Sequence, residues 1–302
     1  MIKKLAAVFL GTLTVFSLSS CRSTPTASSE NNGKVKISAS FNAVAEFSKA
    51  VGKDRVVVST IIPDGTEPHD FEPKASDLAK MSDADVFVYS GLGMESWADK
   101  AAKASSNRKL VTVEAAKGCD AIQNTSSDKL KEREQYDPHI WISLKGAETE
   151  TKNICNGLIQ ASPADKDYFT KNCEAYVAEL ENLYSEYQTK FRSASHKNFV
   201  TGHAAFAYLC RDFGLVQNSV QDVFAEGEPS AQKLTELMDY CRKNNVKTIF
   251  VEDMVSPEVS KTLAREVSAK TVKIYTMESA EDGKSYLERA RDNLEKISES
   301  LK

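Results

Sequence analysis

The chain has 302 residues, and its 39 Lys+Arg against 43 Asp+Glu leave a formal net charge of −4. Loss of residues 1–20 would take Lys3 and Lys4 away and bring the balance near −6. That acidic excess argues against a nucleic-acid partner and against a polybasic membrane patch, while the length leaves room for two domains of ordinary size.

Taken from its start, the chain opens on Lys3-Lys4, an apolar stretch over residues 5–18 and then Leu18-Ser19-Ser20-Cys21. A basic beginning, a short apolar centre and small residues before a cut describe a secretory signal over residues 1–20, too short to span a bilayer. Leu-Ser-Ser-Cys resembles the bacterial lipobox, which implies that Cys21 becomes the lipid-bearing, palmitate-type first residue of the mature protein. Such an anchor holds a domain to a membrane surface without crossing it. The expected location is therefore the cell envelope, on the extracytoplasmic side of a membrane. Residues 21–33 are rich in Ser, Thr and Asn and read as a flexible tether.

From residue 34 the pattern alternates. Strands are expected at 35–39, 55–62, 85–89 and 110–113, and helices at Phe41, Val44, Phe47 and Val51, at 74–81 and at 95–104. Residues 119–135 are polar, then charged, and read as a surface loop. A helix at 144–160 ends at Ser162-Pro163, where Ser162 suits an N-cap and Pro163 a first helical position. The next helix, over 163–194, carries an apolar stripe of Tyr168, Cys173, Tyr176, Leu180, Leu183, Tyr187 and Phe191. At 1.5 Å per residue it spans about 45 Å, longer than one lobe is wide, so it reads as a strut. Strands at 196–201, 215–220, 248–251 and 271–275 follow, with helices after His203, at 230–243, at 257–267 and from about 284. The expected fold is α/β, with a parallel sheet flanked by helices in an N-terminal lobe (34–162) and in a C-terminal lobe (195–302), joined by the linker helix (163–194).

The chemistry follows from the histidines, of which there are four. His69 lies in Ile61-Ile62-Pro63-Asp64-Gly65-Thr66-Glu67-Pro68-His69-Asp70-Phe71-Glu72-Pro73, a loop stiffened by prolines where a strand ends. His139 lies in Tyr136-Asp137-Pro138-His139-Ile140-Trp141-Ile142, and His203 in Gly202-His203 at another strand exit. Strand exits are where open α/β sheets place their ligands, and three imidazoles with one carboxylate make a tetrahedral metal shell. His196 stands in a charged turn and is not expected to bind metal.

Three stretches, Gly65-Thr66-Glu67-Pro68-His69-Asp70-Phe71-Glu72-Pro73, Asp137-Pro138-His139-Ile140-Trp141 and His203-Ala204-Ala205-Phe206-Ala207-Tyr208-Leu209, resemble the motifs of the metal-binding solute-binding lipoproteins of zinc and manganese ABC transporters. The likeness runs from about residue 34 to the end. It implies two α/β lobes joined by one long helix, with one metal ion per chain in the cleft between them, and His69, His139 and His203 match the family's histidine ligands. The fourth ligand in that family is an acidic residue before the closing helix. Glu278, in Tyr275-Thr276-Met277-Glu278-Ser279, is the first choice, with Glu281 and Asp282 close enough to compete and water if none binds. Glu67 is placed to orient His69 from behind, and Glu252 either lines the cleft or caps the helix at Pro257.

A histidine in the third motif marks zinc-type members of the family, and nitrogen-rich tetrahedral sites suit Zn²⁺ better than Mn²⁺. Zn²⁺ is therefore the expected cargo and Mn²⁺ the alternative, while Cu, Ni or Co would also bind in vitro. Residues 119–135 hold no histidine, so the metal-gathering loop of many zinc-type members is not carried over. The resemblance further implies a monomer that hands metal to the permease and ATPase of an importer, without catalysis. Binding is expected to weaken as pH falls, since protons compete for the imidazoles. A zinc hydrolase would also use three histidines, but HExxH and a nucleophile motif are absent. A surface adhesin remains a third reading. The cysteines offer two disulfides, Cys155 with Cys173 across a helical hairpin and Cys210 with Cys241, leaving Cys119 free.

Overall fold

The structure is a computed structural model that describes residues 33–125, 134–225, 229–253 and 256–302. The signal, Cys21 and nearly all of the tether lie outside the described residues, as does part of the 119–135 loop. Two four-stranded parallel sheets organise the chain. In the first, β1 (Val35–Ala39) pairs with β2 (Val56–Thr60) on one side and β3 (Val86–Tyr89) on the other, and β4 (Val111–Glu114) closes the far edge. The second repeats that order with β6 (Val216–Ser219), β5 (Asn198–Thr201), β7 (Thr248–Val251) and β8 (Lys270–Lys273). In each sheet the chain reverses its direction of travel beside the first strand, and the loops leaving the strand ends there form a crevice.

The β-branched runs become strands because both faces of the central ones are covered: β3 is buried at all four positions. On the N-terminal sheet pack α1 (Asn42–Gly52), α2 (Ala75–Ser82), α3 (Ala98–Ala104) and α4 (Leu144–Ala161). The linker resolves into a tight turn, Pro163–Asp165, and then α5 (Lys166–Ser193), 28 residues or about 42 Å long. Its buried stripe is Phe169, Cys173, Val177, Leu180, Leu183, Tyr187 and Phe191. Tyr168 and Tyr176, expected on the stripe, are half-buried at its margin and pack against the same core, while Phe169 and Val177 beside them are the buried positions. The C-terminal sheet carries α6 (Ala207–Phe213), α7 (Ala231–Lys243), α8 (Glu258–Glu266) and α9 (Tyr286–Ser300). Ser285 caps α9 and Glu288 reaches back to complete a capping box.

Helix α9 returns to the N-terminal lobe. The Tyr286 ring meets Phe47 of α1 edge-on at 4.7 Å, and the Tyr286 hydroxyl donates to the Trp141 carbonyl at 2.6 Å. Neither disulfide is formed, since Cys119, Cys155, Cys173, Cys210 and Cys241 are all free thiols. Cys155 and Cys173 do meet across the α4–α5 hairpin, thiol against thiol. Cys210 and Cys241 belong to separate apolar clusters, which keeps that pair apart. Among the described residues no helix is long and apolar enough to cross a membrane.

Candidate metal centre

His69 follows β2 on the proline-bounded loop and is buried, its backbone N–H donating to Glu67 Oε1 at 3.2 Å. Glu67 thus steadies the His69 backbone. Burial raises the Glu67 pKa, with the hydrogen bond from His69 opposing.

His139 is fully buried. Asp137 Oδ1 accepts from both its backbone N–H (2.9 Å) and its Nδ1 (2.8 Å), so the ring is locked with Nε2 facing the cleft. The segment is held further by Trp141, whose Nε1 donates to the Thr276 carbonyl at 2.7 Å, and by the Tyr208 hydroxyl, which donates to the Asp137 carbonyl at 2.6 Å. Both partners come from the C-terminal lobe. Gly146 lets α4 pass beneath, since a Cβ there would stand 2.1 Å from the Ile140 carbonyl oxygen.

His203 leaves the end of β5. Its backbone N–H donates to Glu252 Oε1 at 3.2 Å and its carbonyl accepts from Gln217 Nε2 at 2.8 Å. The ring Nε2 donates to the Val223 carbonyl at 2.9 Å, which leaves Nδ1 as the nitrogen with a lone pair. Burial first, then the charge of His139, pushes the His203 pKa down to about 3. The ring is therefore neutral at ordinary pH.

The three imidazoles converge, offering ligand atoms that all lie within 4.8 Å of one another. His69 Nε2 and His139 Nε2 are 3.2 Å apart. Two nitrogens about 2.0 Å from a tetrahedral zinc would be about 3.3 Å from each other, so this edge has the right length. Glu278 is buried, its Oε1 3.9 Å from His139 Nε2 and its Oε2 accepting from Thr276 Oγ1 at 2.7 Å. Oε1 has no hydrogen-bond partner among the described residues. Burial first, and the nearby Glu67 charge second, raise the Glu278 pKa well above the carboxylate range. A divalent cation in the cleft would reverse that balance.

The competitors of Glu278 have other neighbours, chiefly Lys273. Asp282 is exposed and engages Lys273 Nζ (3.0 Å) and the Tyr275 hydroxyl (2.7 Å). Glu281 is buried, 3.9 Å from Lys273 Nζ, with its pKa raised to about 7 chiefly by burial. Glu252 supports the His203 backbone and packs on Gly202, where a Cβ would come 2.4 Å from its Oε2; burial raises its pKa to about 8. His196 is exposed and away from the cluster. Sequence reasoning missed Tyr208 and Val223. Tyr208 lay within the third motif, but nothing in its spacing showed that its hydroxyl crosses to the other lobe.

Histidines from both lobes, buried and spaced for a metal ion, define a two-lobed metal-binding protein of the solute-binding class. Residues 37–300 match the family described as zinc-uptake complex component A, periplasmic, and the chain belongs to that family. It is 39% identical over 291 residues to a putative metal-binding protein of Treponema pallidum (strain Nichols), covering 94% of this chain and 92% of that one. It is 33% identical over 315 residues to the high-affinity zinc uptake system protein ZnuA of Bacillus subtilis (strain 168), covering 100% and 99%. Among solved structures, the laminin-binding protein Lmb of Streptococcus agalactiae, described as a bifunctional protein with adhesin and metal-transporting activity, superposes with a TM-score of 0.81 at 36% identity, covering 89% of this chain and all of that one.

Proposed function

We propose that this chain captures Zn²⁺ outside the cytoplasm and delivers it to an ABC-type importer, with His69, His139, His203 and Glu278 as the ligands. The observation that carries this reading is the convergence of three buried histidines with a 3.2 Å nitrogen–nitrogen edge in a member of the zinc-uptake family. Each group has a task. Asp137 fixes the His139 tautomer, Val223 fixes that of His203, and Glu278 supplies the one carboxylate of the ligand set. The chain is read as domains at 34–162 and 195–302 joined by a linker at 163–194, following a signal at 1–20 and a tether at 21–33. Cys21 is the lipid-bearing residue that keeps it at the membrane surface, and the loaded monomer meets the permease there. The family is one of solute-binding proteins, and no catalytic step is assigned.

Metal content tests this directly. Stripped protein re-equilibrated with equimolar Zn²⁺ and Mn²⁺ is expected to carry one zinc per chain by native mass spectrometry, and His203→Ala to lose it. Preferential uptake of manganese would overturn the zinc assignment, and no stoichiometric metal would overturn capture. Adhesion, if the likeness to Lmb extends to it, would survive His203→Ala.

A further inference from the structure

The loop between β8 and α9 presents Glu278, and its backbone takes left-handed φ on either side of that residue: 63° at Met277 and 54° at Asp282. Met277, with its long side chain, holds such an angle only where its surroundings over-determine it, whereas Asp282, followed by Gly283 at φ 64°, forms an ordinary Asp-Gly turn. The loop belongs to the C-terminal lobe, yet much of what holds it comes from the N-terminal lobe. Asn42 N–H donates to the Glu278 carbonyl (3.2 Å), Gly65 N–H to Ser279 Oγ (2.9 Å), and Asp64 Oδ1 accepts from Ala280 N–H (2.8 Å).

Beneath the loop lies Arg289 of α9, with no exposed surface. Its Nη1 donates to the Ser279 carbonyl, and its Nη2 to Asn42 Oδ1 at 2.7 Å and to the Glu46 carboxylate. Glu46 also accepts from the Tyr286 N–H at the start of α9. One planar guanidinium therefore grips the ligand loop and two residues of α1 together. A lysine carries the same charge on a single point and cannot reproduce that fork.

We infer that Arg289 is a positioning residue for Glu278, pinning its loop to the N-terminal lobe so that the carboxylate faces the histidines only while the two lobes stay in register. The inference rests on the zinc-capture reading and deepens it. Parting the lobes would withdraw the carboxylate and loosen the cargo without protonating an imidazole.

The test is a double-variant cycle. Zinc affinity and release rate are measured by competition with a chromophoric chelator for the wild type, Glu278→Gln, Arg289→Lys and the double variant, and the visible spectrum of each is recorded with Co²⁺ bound. Arg289→Lys is expected to weaken zinc at least tenfold and to change the Co²⁺ bands as Glu278→Gln does. The double variant is expected to bind no more weakly than Glu278→Gln alone, because Arg289 acts through that residue. Additive losses, or an unchanged Co²⁺ spectrum in Arg289→Lys, would overturn the inference. Should Arg289→Lys fail to fold, Asn42→Ala cuts the same bridge from α1 and is read by the same cycle. The two readings fail separately: zinc bound by the wild type, lost in His139→Ala and untouched by Arg289→Lys sinks only the positioning role, whereas a wild type that takes up no zinc sinks both.

Discussion

In the N-terminal lobe α1 buries eight of its eleven residues and β3 all four, whereas in the C-terminal lobe β8 buries none and α7 only Leu237 and Cys241. The sheets have the same strand order, so topology does not explain the contrast. The explanation is what covers them. One large apolar cluster runs from the N-terminal sheet through α4, α5 and α9 to Phe199, Phe206 and Phe250 of the second lobe. The outer C-terminal lobe keeps a separate cluster of eight buried residues, among them Leu237, Ile249 and Leu263. His139 and the Glu278 loop sit against the large body, with Ile140, Trp141 and Met277 in it, while His203 stands in the chain between Val200 of the smaller cluster and Ala205 of the large one. A metal site built this way has a firm wall and a thinner one.

The contrast can be broken by cutting each cluster. Trp141 is fully buried, packs on Phe41 at 4.7 Å between ring centroids and donates to Thr276. Trp141→Ala is expected to destabilise the fold by about 3–5 kcal/mol, and Leu237→Ala in the smaller cluster by about 2 kcal/mol. Thermal or denaturant unfolding measures both. Equal losses would mean that the two bodies are not distinct.

A second test uses pH. Glu150 of α4 is buried in the large body with Ser90 Oγ donating to it at 3.0 Å, and burial raises its pKa to about 8, with the Glu95 charge adding to the rise. A carboxyl group raised on folding binds its proton more tightly in the folded state. Its contribution is therefore fully present below the unfolded value near 4.5 and fades as pH climbs toward 8. Glu150→Gln is expected to flatten that decline, so that at pH 9 the variant is more stable than the wild type by a few kcal/mol, order of magnitude, and near equal at pH 4. Parallel pH–stability curves would contradict it.

Two smaller effects sharpen the same comparison. Amides of α7 and α8 are expected to exchange with solvent at least tenfold faster than those of α1 and α4, an opening difference of about 1–2 kcal/mol, measured by hydrogen exchange on apo protein. Ser285→Ala removes the α9 cap and is expected to cost about 1 kcal/mol in unfolding experiments, since packing on α1 and α5 holds the rest of that helix.

Much of the architecture was legible in the sequence because parallel strands are β-branched runs and their exits are marked by Pro and Gly. The histidine motifs were legible for the same reason, each standing at a punctuated strand exit or turn. Choosing among Glu278, Glu281 and Asp282 was harder. Three acids within five residues differ in direction through the left-handed turns at Met277 and Asp282; Asp282-Gly283 is a turn signal in the sequence, but a methionine gives no sign of the turn at Met277. Arg289, in Leu287-Glu288-Arg289-Ala290-Arg291-Asp292, reads as one more charged residue of a surface helix, because its partners lie some 240 residues away in α1. The cysteines show the same limit. The hairpin placed Cys155 beside Cys173, whereas Cys210 and Cys241 depended on which cluster each helix face joins.

The most direct test of the central claim is the zinc K-edge X-ray absorption of the loaded protein. Three imidazole nitrogens and one oxygen at about 2.0–2.1 Å are predicted, with one imidazole lost in each of His69→Ala, His139→Ala and His203→Ala. A shell with fewer than three imidazoles in the wild type, or with sulfur, would contradict it.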